Sequence, residues 1–131
     1  MLDYRAATRI DRHVVTAADL TSAVYPHLDQ PEVVTTSRLL EWCEQAAMDA
    51  MGVPTLGISV ALTHIAPTVL HSAVTVDATC VNVDGRRTSW NVCARDEHET
   101  LLCARIGFAQ VDTAEYHQRR VVPKQRLLLP A

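Results

Sequence analysis

One long helix followed only by strands is the pattern that most constrains how this chain folds. Apolar residues recur at spacings of three and four from about Thr36 to Met51, behind the capping cluster Thr35-Thr36-Ser37. Gly52 and Pro54 follow as stop signals. The chain from there to about Val111 is rich in Val, Thr and Ile, which favour strands. Many of the helix residues are small, so a sheet can approach the helix closely.

Four strands are expected in this second part, and the middle two form a hairpin. The four span Ile58 to Ile65, Ala73 to Val83, Thr88 to Arg95 and Leu101 to Val111. A two-residue turn at Asp84-Gly85 would put polar side chains opposite apolar ones on one face. A three-residue loop of Asp84, Gly85 and Arg86 makes one face uniformly apolar, so we predict this loop. Its pairs are Cys80 with Trp90, Ala78 with Val92 and Val76 with Ala94.

The part of the chain before the helix carries weaker signals. Residues 13–16 have some strand character, and residues 16–19 can form a capped helical turn. Pro26 and Pro31 interrupt regular structure, so a loop is expected there. A weak strand, a long helix and four antiparallel strands together predict an α+β architecture. One helix covers one face of the sheet only, and a free sheet edge invites a second copy, so we expect a homodimer or a tetramer built from it.

Length and charge limit the classes of protein that this chain can belong to. Its 131 residues suit one domain, residues 1–131, of which about residues 112–131 form a basic C-terminal tail. A net charge of −3 argues against general affinity for nucleic acid, and no apolar run approaches the length that crosses a membrane. The four cysteines lie far apart without a CxxC pair, which predicts a reducing compartment and hence a cytoplasmic protein.

Three polar residues are candidates for chemistry. Glu44 lies on an otherwise apolar stripe of the helix; the alternative is a half-exposed residue at the edge of that stripe. Thr36, about two turns earlier, either places its hydroxyl in a cleft with that carboxylate or is simply the helix N-cap. His64, near the end of the first long strand, is of the residue type that most often serves as a general base, although a lone strand histidine is more often structural.

Motifs of most other enzyme classes are missing. The other five histidines show no spacing with Cys or carboxylates that is typical of a zinc site, so we expect no metal. The sequence has no GxSxG elbow, no phosphate loop and no dinucleotide fingerprint, and we expect no cofactor. The candidates that remain are Thr36, Glu44 and His64.

Several short segments, taken in order, resemble the fluoroacetyl-CoA thioesterase group of hotdog proteins. They are Val33-Val34-Thr35-Thr36, Glu44-Gln45-Ala46-Ala47-Met48, Gly57, His64-Ile65-Ala66-Pro67-Thr68 and Asp84-Gly85-Arg86-Arg87-Thr88-Ser89-Trp90. The similarity covers residues 33 to 111, and the spacings agree as well as the order. It implies a hotdog fold, in which an antiparallel sheet wraps around a central helix, and a dimer with active sites at its interface.

The resemblance also implies roles for individual residues. Thr36, Glu44 and His64 match the family's catalytic triad, in which the carboxylate acts as nucleophile or as base for water. The threonine then positions the carboxylate, the histidine assists the attack of water, and amides at the helix N-terminus stabilise the oxyanion. Gly57 matches a backbone glycine near the thioester. The implied substrate is a small or medium acyl group carried by CoA or by the pantetheine of a carrier protein.

Two departures from the family pattern concern the expected substrate contacts. Relatives usually end the last strand with a Gly-x-His-x-Arg type motif, whose histidine and arginine are here Ile106 and Phe108. A usual glycine after the His-x-x-Pro-Thr segment is replaced by His71. We therefore expect His71 and Phe108 to contact the substrate, and we do not predict fluoroacetyl specificity. The hairpin residues Arg86 and Arg87 are either phosphate contacts or an ordinary solvated turn.

Two other functions remain open from the residues. A hotdog dehydratase or hydratase acting on a 3-hydroxyacyl chain needs an Asp/His pair, for which Asp77 and Asp49 are the nearest aspartates. A non-catalytic acyl-binding protein agrees with the loss of the last-strand histidine and arginine. The intact set of Thr36, Glu44 and His64 counts against the second of these.

Overall fold

The chain forms one antiparallel sheet with a long helix packed on one face. The structure is a computed structural model that describes residues 4–130. Its elements are β1 (Thr8–Val14), a 3₁₀ turn (Ala17–Asp19), α1 (Thr21–Val24), α2 (Thr36–Met51), β2 (Thr55–His64), β3 (Ala73–Asp84), β4 (Arg87–Arg95), β5 (Thr100–Gln110), α3 (Thr113–Tyr116), a π-helical turn (His117–Val121) and α4 (Val122–Leu127). The strand order is β1-β3-β4-β5-β2, with every neighbouring pair antiparallel. The α+β prediction is confirmed.

The long helix α2 begins and ends where the sequence predicts. Its N-cap is Thr35, whose hydroxyl oxygen accepts a hydrogen bond from the Arg38 backbone N–H at 3.1 Å. At the other end Gly52 adopts a left-handed conformation with φ 64°, and its N–H donates to the Met48 carbonyl at 2.9 Å. A residue without a Cβ adopts this conformation at no steric cost.

Alternation along three central strands builds the core. Every second residue is buried from Val74 to Cys80 of β3, throughout β4 and from Leu102 to Phe108 of β5, as expected where one face of a sheet is covered. The α2 helix contacts all five strands and supplies the opposing apolar residues. The largest buried side chains of these elements are Leu39, Trp90, Phe108, Leu101, Leu102, Ile106, Val74, Val76 and Val92.

The β3–β4 hairpin confirms the predicted pairs and corrects the predicted loop. Cys80 faces Trp90, as expected, and the two pairs nearer the start of β3 also follow the prediction. The turn itself has only two residues, Gly85 and Arg86, with Gly85 at φ 61°. The register shifts by one residue between Cys80 and Asn82. This bulge takes up the residue that we assigned to the loop, and it keeps the apolar set on the α2 face.

The first strand lies earlier than predicted. It spans Thr8–Val14, whereas residues 13–16 carried the strand signal in the sequence. Every residue of this segment is exposed or half-exposed because β1 is an edge strand, so charged residues are tolerated along it. The predicted turn that follows is confirmed: Ala17–Asp19 is a 3₁₀ turn, and the Thr16 backbone N–H donates to an Asp19 carboxylate oxygen at 2.8 Å.

The cysteines and the C-terminal segment also depart from expectation. Cys93 and Cys103 lie directly opposite each other on β4 and β5, with Cα atoms 4.2 Å apart, and form a disulfide. Linear spacing does not reveal a pair that two neighbouring strands bring together, so the argument for a reducing compartment loses its basis. Residues 113–127 are helical rather than an irregular tail. We call them the C-terminal helical segment. No helix in residues 4–130 is long and apolar enough to span a membrane.

Candidate active site

A hydroxyl and an imidazole meet at the N-terminal end of α2. Thr36 Oγ1 lies 2.6 Å from His64 Nδ1. The other ring nitrogen, Nε2, lies 3.0 Å from the Ala66 carbonyl oxygen, which can only accept a hydrogen bond. In a neutral imidazole the proton is therefore on Nε2, and Nδ1 accepts the hydroxyl proton of Thr36. This is the arrangement of a nucleophile, a base and a group that orients the base.

The capping pattern explains why the Thr36 hydroxyl is free for this contact. Thr35, not Thr36, is the N-cap, so the alternative that Thr36 is a plain cap is wrong. Thr36 is the first residue of the helix, so its side chain is not used as the cap. The backbone N–H groups of Thr36 and Ser37 belong to the first turn and have no partner within the helix. They are available to a negatively charged oxygen beside the Thr36–His64 pair.

A small cavity of about 180 Å³ opens next to this pair. Thr36 and His64 form part of its wall, and Val33 and Val34 form an apolar part. Tyr25 and Gln30, from the loop before α2, complete the lining. The sequence predicts a loop here but does not single out Tyr25 or Gln30. No sequence motif identifies residues that line a cavity only because the chain folds.

Glu44 occupies the middle of α2 beside Gly57 of β2. The carboxylate is half-buried, and a Cβ added at Gly57 would lie 3.2 Å from Glu44 Oε2. The register of β2 against β5 shifts just after Gly57, which locally bends the strand. Within residues 4–130 the Glu44 side chain forms no hydrogen bond or ion pair. Gly57 therefore leaves room for an unpartnered carboxylate at the surface between helix and strand.

The three expected catalytic residues fall into two groups along α2. Thr36 and His64 are hydrogen-bonded, whereas Glu44 starts about 12 Å farther along the helix axis. Because side chains tilt toward the N-terminus of a helix, the carboxylate reaches back toward Thr36. The chain thus presents a hydroxyl–imidazole pair and a separate carboxylate farther along α2, not a single hydrogen-bonded triad.

Two expected substrate contacts lie elsewhere. Phe108 is fully buried in the core, as is Ile106, so the positions where relatives carry an arginine and a histidine are apolar packing here. His71 is exposed in the turn before β3, beside Asp96 and His98, and does not line the cavity at Thr36. Its φ of 73° explains why relatives carry glycine there.

The hairpin arginines separate into one residue at a cavity and one outside it. Arg86, in the two-residue turn, lines a cavity of about 350 Å³, and its carbonyl accepts the Gln110 backbone N–H at 2.8 Å. Arg87 is exposed at the start of β4 and does not line that cavity. Of the two proposed phosphate contacts, only Arg86 faces a concave surface.

The segment after His64 is anchored by a buried hydrogen bond. The Thr68 hydroxyl, 2% exposed as a residue, donates to Asp96 Oδ2 at 2.9 Å. Burial raises the pKa of Asp96, but hydrogen bonds from the His98 and Glu99 backbone N–H groups and from Thr68 outweigh it, and the pKa is lowered. The Pro67-Thr68 part of the family-like motif therefore supports the strand end that carries His64.

Several other reactive groups are occupied or inert. Burial raises the pKa of the Cys43 thiol to about 12, so this neighbour of Glu44 is a core residue and not a nucleophile. Asp77 is paired with Arg95 at 3.2 Å, on the sheet face away from α2. Neither Asp77 nor the exposed Asp49 hydrogen-bonds to His64, so the Asp/His pair of a dehydratase is not formed among the described residues. No group of three or more potential metal ligands occurs in residues 4–130.

Comparison with known proteins identifies the family of this chain. The family described as fluoroacetyl-CoA-specific thioesterase matches residues 15–114. Fluoroacetyl-CoA thioesterase of Streptantibioticus cattleyicolor is 34% identical over 107 residues, which are 77% of this chain and 73% of that protein. The solved structure of the fluoroacetyl-CoA thioesterase FlK matches with a TM-score of 0.83 at 26% identity, over 96% of this chain and 97% of that one.

A more distant structure shares the fold alone. A hypothetical protein of Thermus thermophilus, a thioesterase superfamily member, matches with a TM-score of 0.85 at 19% identity, over 97% of this chain and 98% of that one. The hotdog prediction is thereby confirmed. With its family match and its fold in agreement, the chain belongs to the fluoroacetyl-CoA-specific thioesterase family of hotdog thioester hydrolases.

Proposed function

We propose that this thioester hydrolase cleaves small acyl groups from CoA and that Thr36, Glu44 and His64 are its catalytic residues. The observation that carries the proposal is the 2.6 Å contact of Thr36 Oγ1 with His64 Nδ1 beside a cavity of about 180 Å³. A small cavity with two valines in its wall suits a short acyl group. The relatives that act on fluoroacetyl-CoA support CoA as the carrier.

The geometry suggests a route for the reaction. Thr36 Oγ1 attacks the carbonyl carbon and gives its proton to His64 Nδ1, and the first-turn amides hold the oxyanion. The C–S bond breaks, and the departing thiolate takes the proton from His64. Water then gives a proton to His64 and attacks the ester on Thr36; the proton returns to Thr36 as the acid leaves. Glu44 orients this water by accepting its second hydrogen.

Thiol release from a panel of acyl-CoA and acyl-pantetheine thioesters tests the function. We expect wild-type turnover, with Glu44→Ala and His64→Ala both strongly impaired while folding remains intact. No turnover on any thioester, or unchanged turnover in both variants, would refute the proposed site and leave an acyl-binding role.

Rapid quenching followed by mass spectrometry tests the assignment of the nucleophile. We expect an acyl adduct on Thr36 that is absent from Thr36→Ala. If no adduct forms and turnover still requires Glu44, the carboxylate is the nucleophile or the base for water, as the family resemblance implies.

We also propose a homodimer formed through β2. This edge strand is ten residues long and exposes apolar side chains: Leu56 38%, Ile58 50%, Val60 46% and Leu62 37%. An apolar edge with unpaired backbone groups is a template for another strand. The opposite edge, β1, is three residues shorter and carries the charged residues Arg9, Asp11 and Arg12 beside its exposed Ile10 and Val14.

Light scattering after gel filtration tests the dimer. Val60→Lys should give a monomer, and Ile10→Lys, which changes an exposed apolar residue of the other edge strand, should not. Equal masses for both variants and the wild type would contradict pairing through β2.

A cytoplasmic location remains part of the proposal, because CoA thioesters are formed inside the cell.

A further inference from the structure

Two further cavities lie along the C-terminal helical segment, one of them at the C-terminal end of α2, and the proposed catalytic residues do not line them. One, of about 280 Å³, is enclosed mainly by apolar residues between α2, the start of β2 and the C-terminal helical segment, including Met48, Leu56 and Val121. The other, of about 350 Å³, is the cavity at Arg86, which the same segment lines. Val111 and Tyr116 belong to both, so the two cavities adjoin.

The first cavity, which we call the apolar passage, starts beside the carboxylate of the active site. Met48 follows Glu44 by one helical turn, and Leu56 directly precedes Gly57. The second, which we call the arginine cavity, lies farther on. Gln110, which lines this cavity, lies opposite Thr55 in the β2–β5 pair, and its backbone N–H donates a hydrogen bond to the Arg86 carbonyl. Gly57 and Thr55 are therefore about 7 Å apart along β2, and the Arg86 backbone lies about 10 Å from Thr55 across the sheet, two strand spacings away.

A polar atom without a partner lies in the wall of the apolar passage. Thr55 is 6% exposed, lines this cavity, and its Oγ1 has no hydrogen-bond partner. A buried hydroxyl is normally hydrogen-bonded, because losing water without a replacement is costly. Because Oγ1 itself is not accessible to solvent, an amide or hydroxyl group of a ligand in the passage would supply the missing partner when the Thr55 side chain turns toward it.

The arginine cavity has cationic groups that are not neutralised by neighbours. Within the described part of the chain, Arg86 and Arg120 form no ion pair, whereas Arg119 donates to Glu115 at 3.2 Å. The other carboxylate, Asp112, caps the helix by accepting the Glu115 backbone N–H at 2.9 Å. Arg86 and Arg120, together with Arg119, which also contacts Glu115, line one cavity and suit phosphate, with which a guanidinium group can form paired hydrogen bonds.

We propose that the C-terminal helical segment completes a binding path for CoA. The pantetheine arm passes the Thr55 hydroxyl, and the phosphates of the nucleotide bind Arg86, Arg119 and Arg120. The inference rests on the proposed thioesterase function and deepens it, because it selects CoA over a carrier protein. Arg119 and Arg120 lie beyond residues 15–114, over which the family match extends.

Calorimetric binding of CoA, 3′-dephospho-CoA and pantetheine tests the path without requiring turnover. We expect wild-type affinity to fall in that order. The double variant Arg119→Ala/Arg120→Ala should bind CoA about tenfold more weakly, since each lost contact joins charged groups at a partly exposed site. Its affinity for pantetheine should change much less, so the ratio of the two affinities falls. Lys124→Ala/Arg126→Ala removes the same charge from the same segment and should leave the ratio as it is.

Thr55→Val tests the passage, because the arm is common to CoA and pantetheine. We expect weaker binding of both, with their ratio preserved. Equal CoA-to-pantetheine ratios in the wild type and both double variants would overturn the arginine cavity as a phosphate site. An acyl-carrier-protein thioester hydrolysed faster than the matched acyl-CoA would overturn the selection of CoA. Neither result would affect the dependence of hydrolysis on His64 and Glu44, so failure of the path and failure of the proposed function are distinguishable.

Discussion

The two ends of α2 differ in chemistry. At the N-terminal end, Thr36 and His64 meet beside a small cavity. Beyond the C-terminal end, two larger cavities are lined by the C-terminal helical segment, one mainly apolar and the other containing Arg86, Arg119 and Arg120. Under the proposed function and the proposed path, bond cleavage takes place at one end of the helix and recognition of the carrier at the other.

The largest expected effect comes from the catalytic end. His64→Ala should lower kcat by about 10²- to 10⁴-fold, because it removes the group that accepts the Thr36 proton. Affinity for CoA should remain near that of the wild type, since His64 lies away from the arginine cavity. Steady-state kinetics and calorimetry on the same preparation measure both quantities. His98→Ala, at an exposed histidine near β5, is the matched control. A lost CoA affinity in His64→Ala would remove the proposed separation of the two ends.

A smaller effect is expected at Gly57, midway between the ends. The Cβ of Gly57→Ala would lie 3.2 Å from Glu44 Oε2, closer than ordinary contact, so the carboxylate must shift by a few tenths of an ångström. We expect kcat to fall about tenfold, since catalysis is sensitive to misplacement on this scale. Kinetics together with thermal unfolding checks this. Unchanged kcat with an unchanged melting temperature would show that the position of Glu44 does not matter.

Thr55→Val should change stability and binding in opposite directions. Replacing a buried hydroxyl that has no partner by a methyl group of similar shape should raise the free energy of unfolding of the unliganded protein by about 1 kcal/mol. Urea unfolding without ligand measures this. A loss of stability would mean that the hydroxyl has a structural partner, and it would weaken the argument for a polar ligand group in the passage.

The smallest effect concerns Asp96 and its dependence on pH. Its folded pKa is lowered from the ordinary value of 3.8, so its contribution to stability is present above that value and is lost as the pH falls through the folded pKa. Thr68→Val removes one of the hydrogen bonds that lower the pKa and should cost about 1 kcal/mol at neutral pH. The difference from the wild type should shrink toward pH 3. Urea midpoints at pH 7 and pH 3 measure it, and a constant difference would contradict the assignment.

Local sequence signals correctly predicted the helix ends and the strand pairing that depend on nearby residues. The capping cluster and Gly52 set the ends of α2, and the alternation of apolar residues set the pairing of Cys80 with Trp90. The same alternation does not distinguish a three-residue loop from a two-residue turn with a bulge, because both keep the apolar residues on one face. The predicted position of β1 was wrong because an edge strand with charged residues lacks the apolar pattern on which the prediction depended.

The sequence alone did not predict contacts between segments that are distant along the chain. The positions of Thr36, Glu44 and His64 in the sequence made them candidates, and the family resemblance supported them and added Gly57. Only the fold shows that the carboxylate is separate from the hydroxyl–imidazole pair. Phe108 was expected at the substrate because relatives have arginine there, yet an apolar residue at that position packs into the core. The disulfide and the arginine cavity depend on strand register and on a helical segment whose basic residues alone do not indicate where it packs.

The most direct test of a division between the two ends is a double comparison on one acyl group. We would measure kcat and KM for its CoA and pantetheine thioesters with the wild type, His64→Ala and Arg119→Ala/Arg120→Ala. The account predicts that the histidine variant loses kcat on both thioesters, and that the arginine variant keeps kcat but raises KM for the CoA thioester selectively. A histidine variant with normal kcat, or an arginine variant that affects both thioesters equally, would contradict it.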